Sequence, residues 1–237
     1  MKKSVKIRKI IFEILFEIYQ KNINFEESYN NFTKNISISN RDKAMIYNVV
    51  LNSMRNIFYI SSILNQFLNK RTSIKIKILL LSAITQILYL DFKNYAVTND
   101  SVQVAKIKKL NPGLINSLLK NVIANIKNIK KNKYDKNIVP HWLEKDLKIL
   151  KTEINYFIET ISKEPSLHLV FKNKNSLDNF KEKVVKTTEK SGFLVKKKKI
   201  EEIDGFNKGN WWIQDFSSML PIYLSSELKF KKIIDLC

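Results

Sequence analysis

Apolar residues recur at three- and four-residue steps along the first half of the chain. Ile7, Ile10, Ile11, Ile14, Leu15 and Ile18 form one such stripe behind Ser4, which the spacing predicts as an N-cap. A second helix is expected from about Asn40, with Arg41, Asp42 and Lys43 in its first turn and Tyr47, Val50, Leu51 and Met54 on its buried side. A third covers Ile57 to Asn69. Ser73 then precedes Ile74 to Leu90, which is apolar nearly all round and belongs in the middle of a bundle. Val97 to Lys109 predicts a further helix. Asn111, Pro112 and Gly113 mark a break and restart, with Pro at the first helical position, where its missing N–H is not needed. The following stripe is Leu114, Ile115, Leu118, Leu119, Val122, Ile123 and Ile126.

Between Ile126 and Ile138 the period dissolves into a lysine-rich polar run, the best linker in the chain. Beyond it Trp142, Leu143, Leu147 and Leu150 suggest one more amphipathic helix. The period then shortens. Leu167, Leu169 and Phe171 alternate with His168 and Val170 as in a strand, a helix is expected from a Ser176 cap through Lys190 with Gly192 at its C-terminus, and Phe193 to Ile200 reads as a second strand. From Asp204 onward a short strand at Trp211 to Gln214, a helix from Phe216 to Leu224 and a buried strand from Lys231 to Cys237 complete the pattern. The fold class expected is therefore α-rich and multidomain: an all-α helical bundle over residues 1–132, a small α/β linker domain over 138–203, and a further unit opening at 204–237. A parallel central strand with no neighbours leaves its backbone and faces uncovered, which implies further chain after Cys237.

Charge changes this picture. The 237 residues carry 42 Lys plus Arg against 22 Asp plus Glu, a net +20, which attracts phosphate polyanions. Lys, Asn and Ile all use A/T-rich codons, so mutational bias contributes. The charge is nevertheless uneven: 24 basic against 8 acidic residues up to 137, 14 against 8 from 138 to 200, and 4 against 6 from 201 onward. A polyanion belongs on the first region. The single cysteine, Cys237, excludes a disulfide framework and a cysteine metal site, and fits a reducing cytoplasm. Arg8, Lys9, Glu13 and Glu17 interrupt the N-terminal apolar run, so it reads as a mature helix, not a signal segment. Ile78 to Leu90 is shorter than the ~20 residues a bilayer needs.

Candidate chemistry is basic, not catalytic. Lys106, Lys108, Lys109, Lys120 and Lys127, with Lys130, Lys131, Lys133 and Lys136, fall in one span accompanied by Asn116, Asn121 and Asn125. If their helices face the same way, they form a phosphate-tracking groove; a solvated lysine face is the plainer alternative. Arg41, opening a helix, is a further phosphate candidate. Asn116, among apolar neighbours, is expected to be a buried, hydrogen-bonded structural residue. His141 and His168 lie in different elements without a cysteine or carboxylate cluster, so no metal site is expected. Lys196 to Lys199 suggests a charged edge strand, and of Trp211 and Trp212 alternation leaves one outside. The four glycines, Gly113, Gly192, Gly205 and Gly209, form neither a P-loop nor a dinucleotide fingerprint.

Several strings, in order, carry a resemblance. They are Ser39 to Arg55 (SNRDKAMIYNVVLNSMR), Leu79 to Asp91 (LLLSAITQILYLD), Ala96 to Ala105 (AVTNDSVQVA), Gly113 to Lys120 (GLINSLLK), Gln214 and Asp215 with Ser217, and Ile234 to Cys237. The first region resembles a NusB-like domain. The whole chain is similar to the N-terminal part of the RsmB (Sun) family of ribosomal RNA cytosine-5 methyltransferases. Departures from the family pattern are Lys120 for Arg, Asp100 for Glu, Phe216 for the Glu after Gln-Asp, and Val170, Phe171, Lys172, Asn173 at the usual Arg-Val-Asn. The resemblance implies ribosomal RNA as partner and a Rossmann-like methyltransferase domain beginning near 204. It also implies S-adenosylmethionine as cofactor of the complete protein, with Cys237 the first residue of the cofactor motif. The family's catalytic cysteines belong to later motifs, so the chain alone is expected to bind RNA without transferring methyl groups. Alternatives are a stand-alone transcription antitermination factor, which the NusB-like region alone fits, and a peripheral binder of anionic membranes.

Overall fold

The computed structural model describes residues 1–34, 36–68, 72–131, 139, 143, 145–146, 153–196, 198–225 and 234. The chain forms two compact units, Met1–Lys163 and Glu164–Cys237.

The first unit is helical: α1 (Lys3–Lys21), α2 (Phe25–Thr33), α3 (Asn40–Arg55), α4 (Ile57–Phe67), α5 (Ile74–Tyr89), α6 (Asn94–Ile107), α7 (Pro112–Ala124), α8 (Ile126–Lys131) and α9 (Ile154–Ile161). The expected central helix is α5. Every residue from Ile78 to Leu88 is buried, and α1, α3, α4, α6 and α7 all pack against it. The side-chain donors of its buried Ser82, Thr85 and Gln86 are satisfied within the helix, while Thr85 also accepts from Ser53 of α3 and the Gln86 carbonyl oxygen has no partner among the described residues. Ser82 Oγ donates to the Leu79 carbonyl at 2.9 Å, Thr85 Oγ1 to Leu81 at 2.8 Å and Gln86 Nε2 to Ser82 at 3.0 Å, so three buried groups do not need outside partners for these donors.

Local signals are realised unevenly. Asn111 caps α7 by accepting from the Leu114 N–H at 3.0 Å, with Pro112 in the first turn. Ser39 caps α3 in the same way, at 3.2 Å from the Asp42 N–H. Ser4, by contrast, lies inside α1, whose N-cap is Lys2 with no side-chain bond. The buried side of α3 is Ile46, Val49, Val50 and Ser53, one step round from the face the pattern predicts; Tyr47 is 38% exposed and Leu51 and Met54 are half-buried. The Tyr47 ring meets Phe25 and Tyr29 edge-on at 4.9 and 5.4 Å, so the part of it that is covered packs against α2. Helix α6 begins three residues before Val97, and α8 occupies the start of the run read as a linker. The remainder of that run from 132 to 137, together with Trp142, Leu147 and Leu150, lies outside the described residues.

The second unit corrects the expected strand–helix–strand arrangement. It comprises β1 (His168–Phe171), α10 (Lys174–Asp178), β2 (Val184–Thr188), β3 (Ser191–Leu194), β4 (Trp211–Ile213) and α11 (Phe216–Leu224). The strands form an antiparallel sheet in the order β2-β3-β1-β4. The helix expected through Lys190 ends at Asp178 and is capped by Asn173, not Ser176. Val184, Val185, Thr187 and Thr188 are β-branched, prefer a pleated strand, and turn back as a hairpin. Gly192 is a strand residue, and its absent side chain has a specific use: a Cβ there would meet the Val185 carbonyl oxygen at 2.7 Å. One face of the sheet buries Leu169, Phe171, Leu194 and Trp211 with Leu177 and Ile203. The basic edge strand expected at Lys196 to Lys199 does not form, because β3 ends at Leu194; Lys197 is outside the described residues.

His168 is a satisfied interior histidine. Its Nδ1 is 2.7 Å from the Gln214 carbonyl, so it donates there, leaving Nε2 to accept from Thr187 Oγ1 at 2.8 Å. The Gln-Asp string is thus tied to β1, and Asp215 caps α11 by accepting from the Ser217 N–H at 2.8 Å. Hydrogen bonds from Ser217 hold the Asp215 carboxyl below its ordinary range.

Candidate nucleic-acid interface

Helices α6 and α7 pack as a hairpin across the tight connection at Lys108 to Asn111. Val97, Ser101, Val104 and Ala105 of α6, and Ile115, Leu118, Leu119 and Val122 of α7, turn inward. On the solvent side, Asn94, Tyr95 and Asn99 of α6 and Asn116 and Lys120 of α7, together with the buried Thr98 and the apolar Val102, Pro112 and Ile123, line an open groove of about 650 Å³. Tyr95 is 73% exposed, a large aromatic surface offered to solvent. Lys120 is exposed on the facing helix. The groove therefore combines an open ring, several carboxamides and a cation, which can supply stacking, hydrogen bonds and a phosphate contact.

Behind the groove, α6 is held by a buried ion pair. Arg8 Nη1 lies 2.7 Å from Asp100 Oδ2, with the side chains 6% and 7% exposed. The Arg8 guanidinium carbon also lies 5.8 Å from the centre of the Phe92 ring. Burial lowers the Arg8 pKa and Asp100 opposes that shift. The buried Arg8 Nε has no hydrogen-bond partner among the described residues. Asp100 on the inner face and Asn99 on the outer face are adjacent in sequence, so anchoring the one positions the other.

The basic residues predicted from sequence divide among several environments. Lys120 enters the groove. Lys106 is exposed near the end of α6, and Lys109 is exposed with φ 54°, where the helix terminates and Leu110 N–H donates back to Ala105 at 2.8 Å. Lys127 is exposed on α8. Lys108 is engaged elsewhere: it pairs with Glu13 and lies 5.3 Å from the Phe12 ring centre. Arg41 is exposed in the first turn of α3, away from the groove lining. Its neighbour Asp42 pairs with Lys3 at 2.7 Å, and the Lys3 and Ser39 hydrogen bonds keep its pKa low. That carboxylate already answers the positive end of the helix. Lys133, Lys136, His141 and Cys237 lie outside the described residues.

Two groove features were not expected. Asn116 is half-buried and has no hydrogen-bond partner among the described residues, in contrast to its expected role in the core. Tyr95 and Asn99 were not singled out, although, four residues apart, they share the exposed face of α6, opposite its buried stripe. No group of three or more His, Cys, Asp or Glu suited to a metal occurs among the described residues, and no described helix is long and apolar enough to cross a membrane.

The NusB family profile matches residues 5–124, which contain the whole groove and both halves of the ion pair. The chain belongs to the NusB family. It is 30% identical over 136 residues to the transcription antitermination protein NusB of Buchnera aphidicola subsp. Cinara cedri (strain Cc), covering 54% of this chain and 95% of that protein. Among solved structures, antitermination factors NusB and NusE in complex with dsRNA give 20% identity and a TM-score of 0.46, over 52% of this chain and 97% of that one. The crystal structure of PH0851 gives 13% identity and a TM-score of 0.50, over 94% of this chain and 56% of that one. This last likeness is one of fold. It extends beyond the NusB domain into the second unit.

Proposed function

We propose that the chain is the RNA-recognition part of an S-adenosylmethionine-dependent ribosomal RNA cytosine-5 methyltransferase, and that its NusB domain takes single-stranded RNA along the α6–α7 groove. The observation that carries RNA binding is the juxtaposition of exposed Tyr95 with Asn99, Asn116 and Lys120 across one groove. Tyr95 stacks on a base, the carboxamides hydrogen-bond base or ribose edges, and Lys120 meets a phosphate. Lys106, Lys109 and Lys127 extend the attraction along the strand, with smaller individual effects. Tyr95→Ala and Lys120→Glu are each expected to weaken binding of a ribosomal RNA fragment about 5-fold or more, since aromatic stacking is worth about 1–3 kcal/mol per base. Unchanged affinity in both variants would contradict the groove assignment.

Support for the methyltransferase context comes from the order of the sequence strings and from a second unit that the NusB match at 5–124 leaves unaccounted for. The described residues provide no set assigned to hold S-adenosylmethionine, and Cys237 lies outside them. No chemical step is therefore assigned to this chain's residues. The coding sequence after Cys237 tests this part: continuation into Ala-Ala-Pro-Gly-Gly-Lys supports it, and an unrelated continuation or a stop contradicts it. A role in transcription antitermination is the second reading, favoured by the 30% identity to a protein of that name. It keeps the same RNA groove and gives residues 164–237 a different use.

A further inference from the structure

The second unit contains a cleft that the NusB domain does not explain. It lies between α10 and the Phe206–Lys208 turn and has a volume of about 450 Å³, in the usual range for small-ligand sites. Its floor is aromatic and fixed. The Phe180 ring meets Phe171 edge-on at 5.0 Å and Trp211 at 6.3 Å, and Trp211 Nε1 donates to the Asp204 carbonyl at 2.7 Å. One wall is set by Gly205, in the left-handed region at φ 78°, where a Cβ would come within 3.3 Å of Trp211 Nε1. Gly209 at φ 64° closes the same turn, and Lys172 N–H donates to the Asn210 carbonyl at 3.0 Å, joining the turn to the end of β1.

Some of the polar groups around this floor are committed and others are not. Asn175 on α10, Asn179 at its C-cap and Asn210 line the cleft with carboxamides that have no hydrogen-bond partner among the described residues. Asn173 uses its Oδ1 to cap α10 and leaves its Nδ2 donors available. The two cations differ. Lys181 is drawn toward Asp204 at 3.8 Å, whereas Lys208 has no carboxylate partner among the described residues. One unpaired cation, several two-way hydrogen-bonding amides and an aromatic floor make a combination suited to a monoanion bearing hydroxyls and a heteroaromatic base.

We propose that this cleft binds one nucleotide unit of an RNA strand, with the phosphate at Lys208 and the ribose or base edge at Asn175, Asn179 and Asn210. The assignment deepens the RNA-binding reading and rests on it, but uses residues wholly outside the NusB domain. It does not depend on the methyltransferase context.

Titration of the isotope-labelled 237-residue chain with 5′-CMP, followed through the Trp211 indole N–H and the asparagine carboxamides, tests the cleft directly. Saturable shifts of the Trp211, Asn179 and Asn210 signals are expected, weakened at least 5-fold by Lys208→Glu and by Asn179→Ala and unaffected by Lys120→Glu. A parallel titration with a ten-nucleotide RNA is expected to lose about 3-fold in affinity with Lys208→Glu. Absence of the 5′-CMP shifts would overturn the proposal while leaving groove binding of RNA intact. So would their full reproduction by inorganic phosphate, which indicates a bare anion contact. If 5′-CMP binds normally but RNA affinity ignores Lys208→Glu, the cleft serves a free nucleotide and the RNA assignment is overturned. Loss of RNA binding with Lys120→Glu, measured in the same preparation, separates failure at the cleft from failure of the groove.

Discussion

The two units bury their hydrophobic residues by different means. The NusB domain surrounds one helix, α5, so completely that eleven consecutive residues, Ile78 to Leu88, are buried. The second unit packs one face of a four-stranded sheet against Leu177 and Ile203, with Trp212 46% exposed at its edge. The first arrangement can absorb a charged pair in its interior, because a large apolar core supplies the free energy and Arg8 and Asp100 meet at 2.7 Å. A unit of the second size depends on a few close approaches, of which Gly192 against Val185 is the clearest. The difference teaches where each unit is vulnerable: the helical one to an unpaired interior charge, the sheet to a single added methyl group.

The largest effect is expected at the ion pair. Asp100→Ala leaves Arg8 charged and buried, and is predicted to destabilise the NusB domain by about 3–5 kcal/mol, whereas Arg8→Met combined with Asp100→Leu recovers most of that loss. Urea denaturation of the single and double variants distinguishes these outcomes; equal destabilisation of both would mean that packing, not charge, dominates there. In the sheet, Gly192→Ala is expected to cost about 1–3 kcal/mol through its clash with the Val185 carbonyl. The check is amide exchange, which should accelerate in β2 and β3 and stay unchanged in α5. Faster exchange in α5 as well would refute the separation of the two units' stabilities.

A smaller effect concerns Tyr19, whose phenol is pushed up to about 12 by burial. Because its folded value lies above the ordinary value near 10, the neutral phenol contributes stability below pH 10 that is lost as pH rises through about 12. Tyr19→Phe is therefore expected to flatten the decline in stability between pH 10 and 12. An unchanged slope, measured by denaturation across that window, would show that the phenol ionises without penalty.

What could be read from sequence follows the same contrast. Ile74 to Leu90 declared a central helix because nearly every position was apolar, and Asn111-Pro112-Gly113 declared the start of α7 because cap and proline act locally. The Asn111 signal held because cap and N–H lie within one turn, whereas the equally local Ser4 signal failed because α1 begins at Lys3 and takes Ser4 inside. The stretch from Ser176 to Lys190 failed because the β2–β3 pairing outweighs the polar character shared by helix and strand surfaces, and the β-branched pairs at 184–185 and 187–188 were the available clue. The groove was half visible. Lys120 stood out by charge, but Tyr95 and Asn99 acquire meaning only once α6 lies against α7, and Asn116 was assigned to the interior because its neighbours are apolar. Arg8 carried its own warning: a charge on the buried stripe of α1 requires a partner, yet nothing local identifies Asp100, 92 positions later.

The central claim, that the α6–α7 groove of the NusB domain engages the RNA backbone as well as its bases, is most directly tested by the salt dependence of RNA binding. Affinity for a single-stranded ribosomal RNA fragment should be measured from about 50 to 200 mM salt for the 237-residue chain and for Lys120→Ala. The predicted result is weaker binding at every salt concentration, with the slope of log affinity against log salt shallower by about 0.7 in the variant, the loss of one phosphate contact to single-stranded RNA. Superimposable lines for the two proteins would contradict the claim.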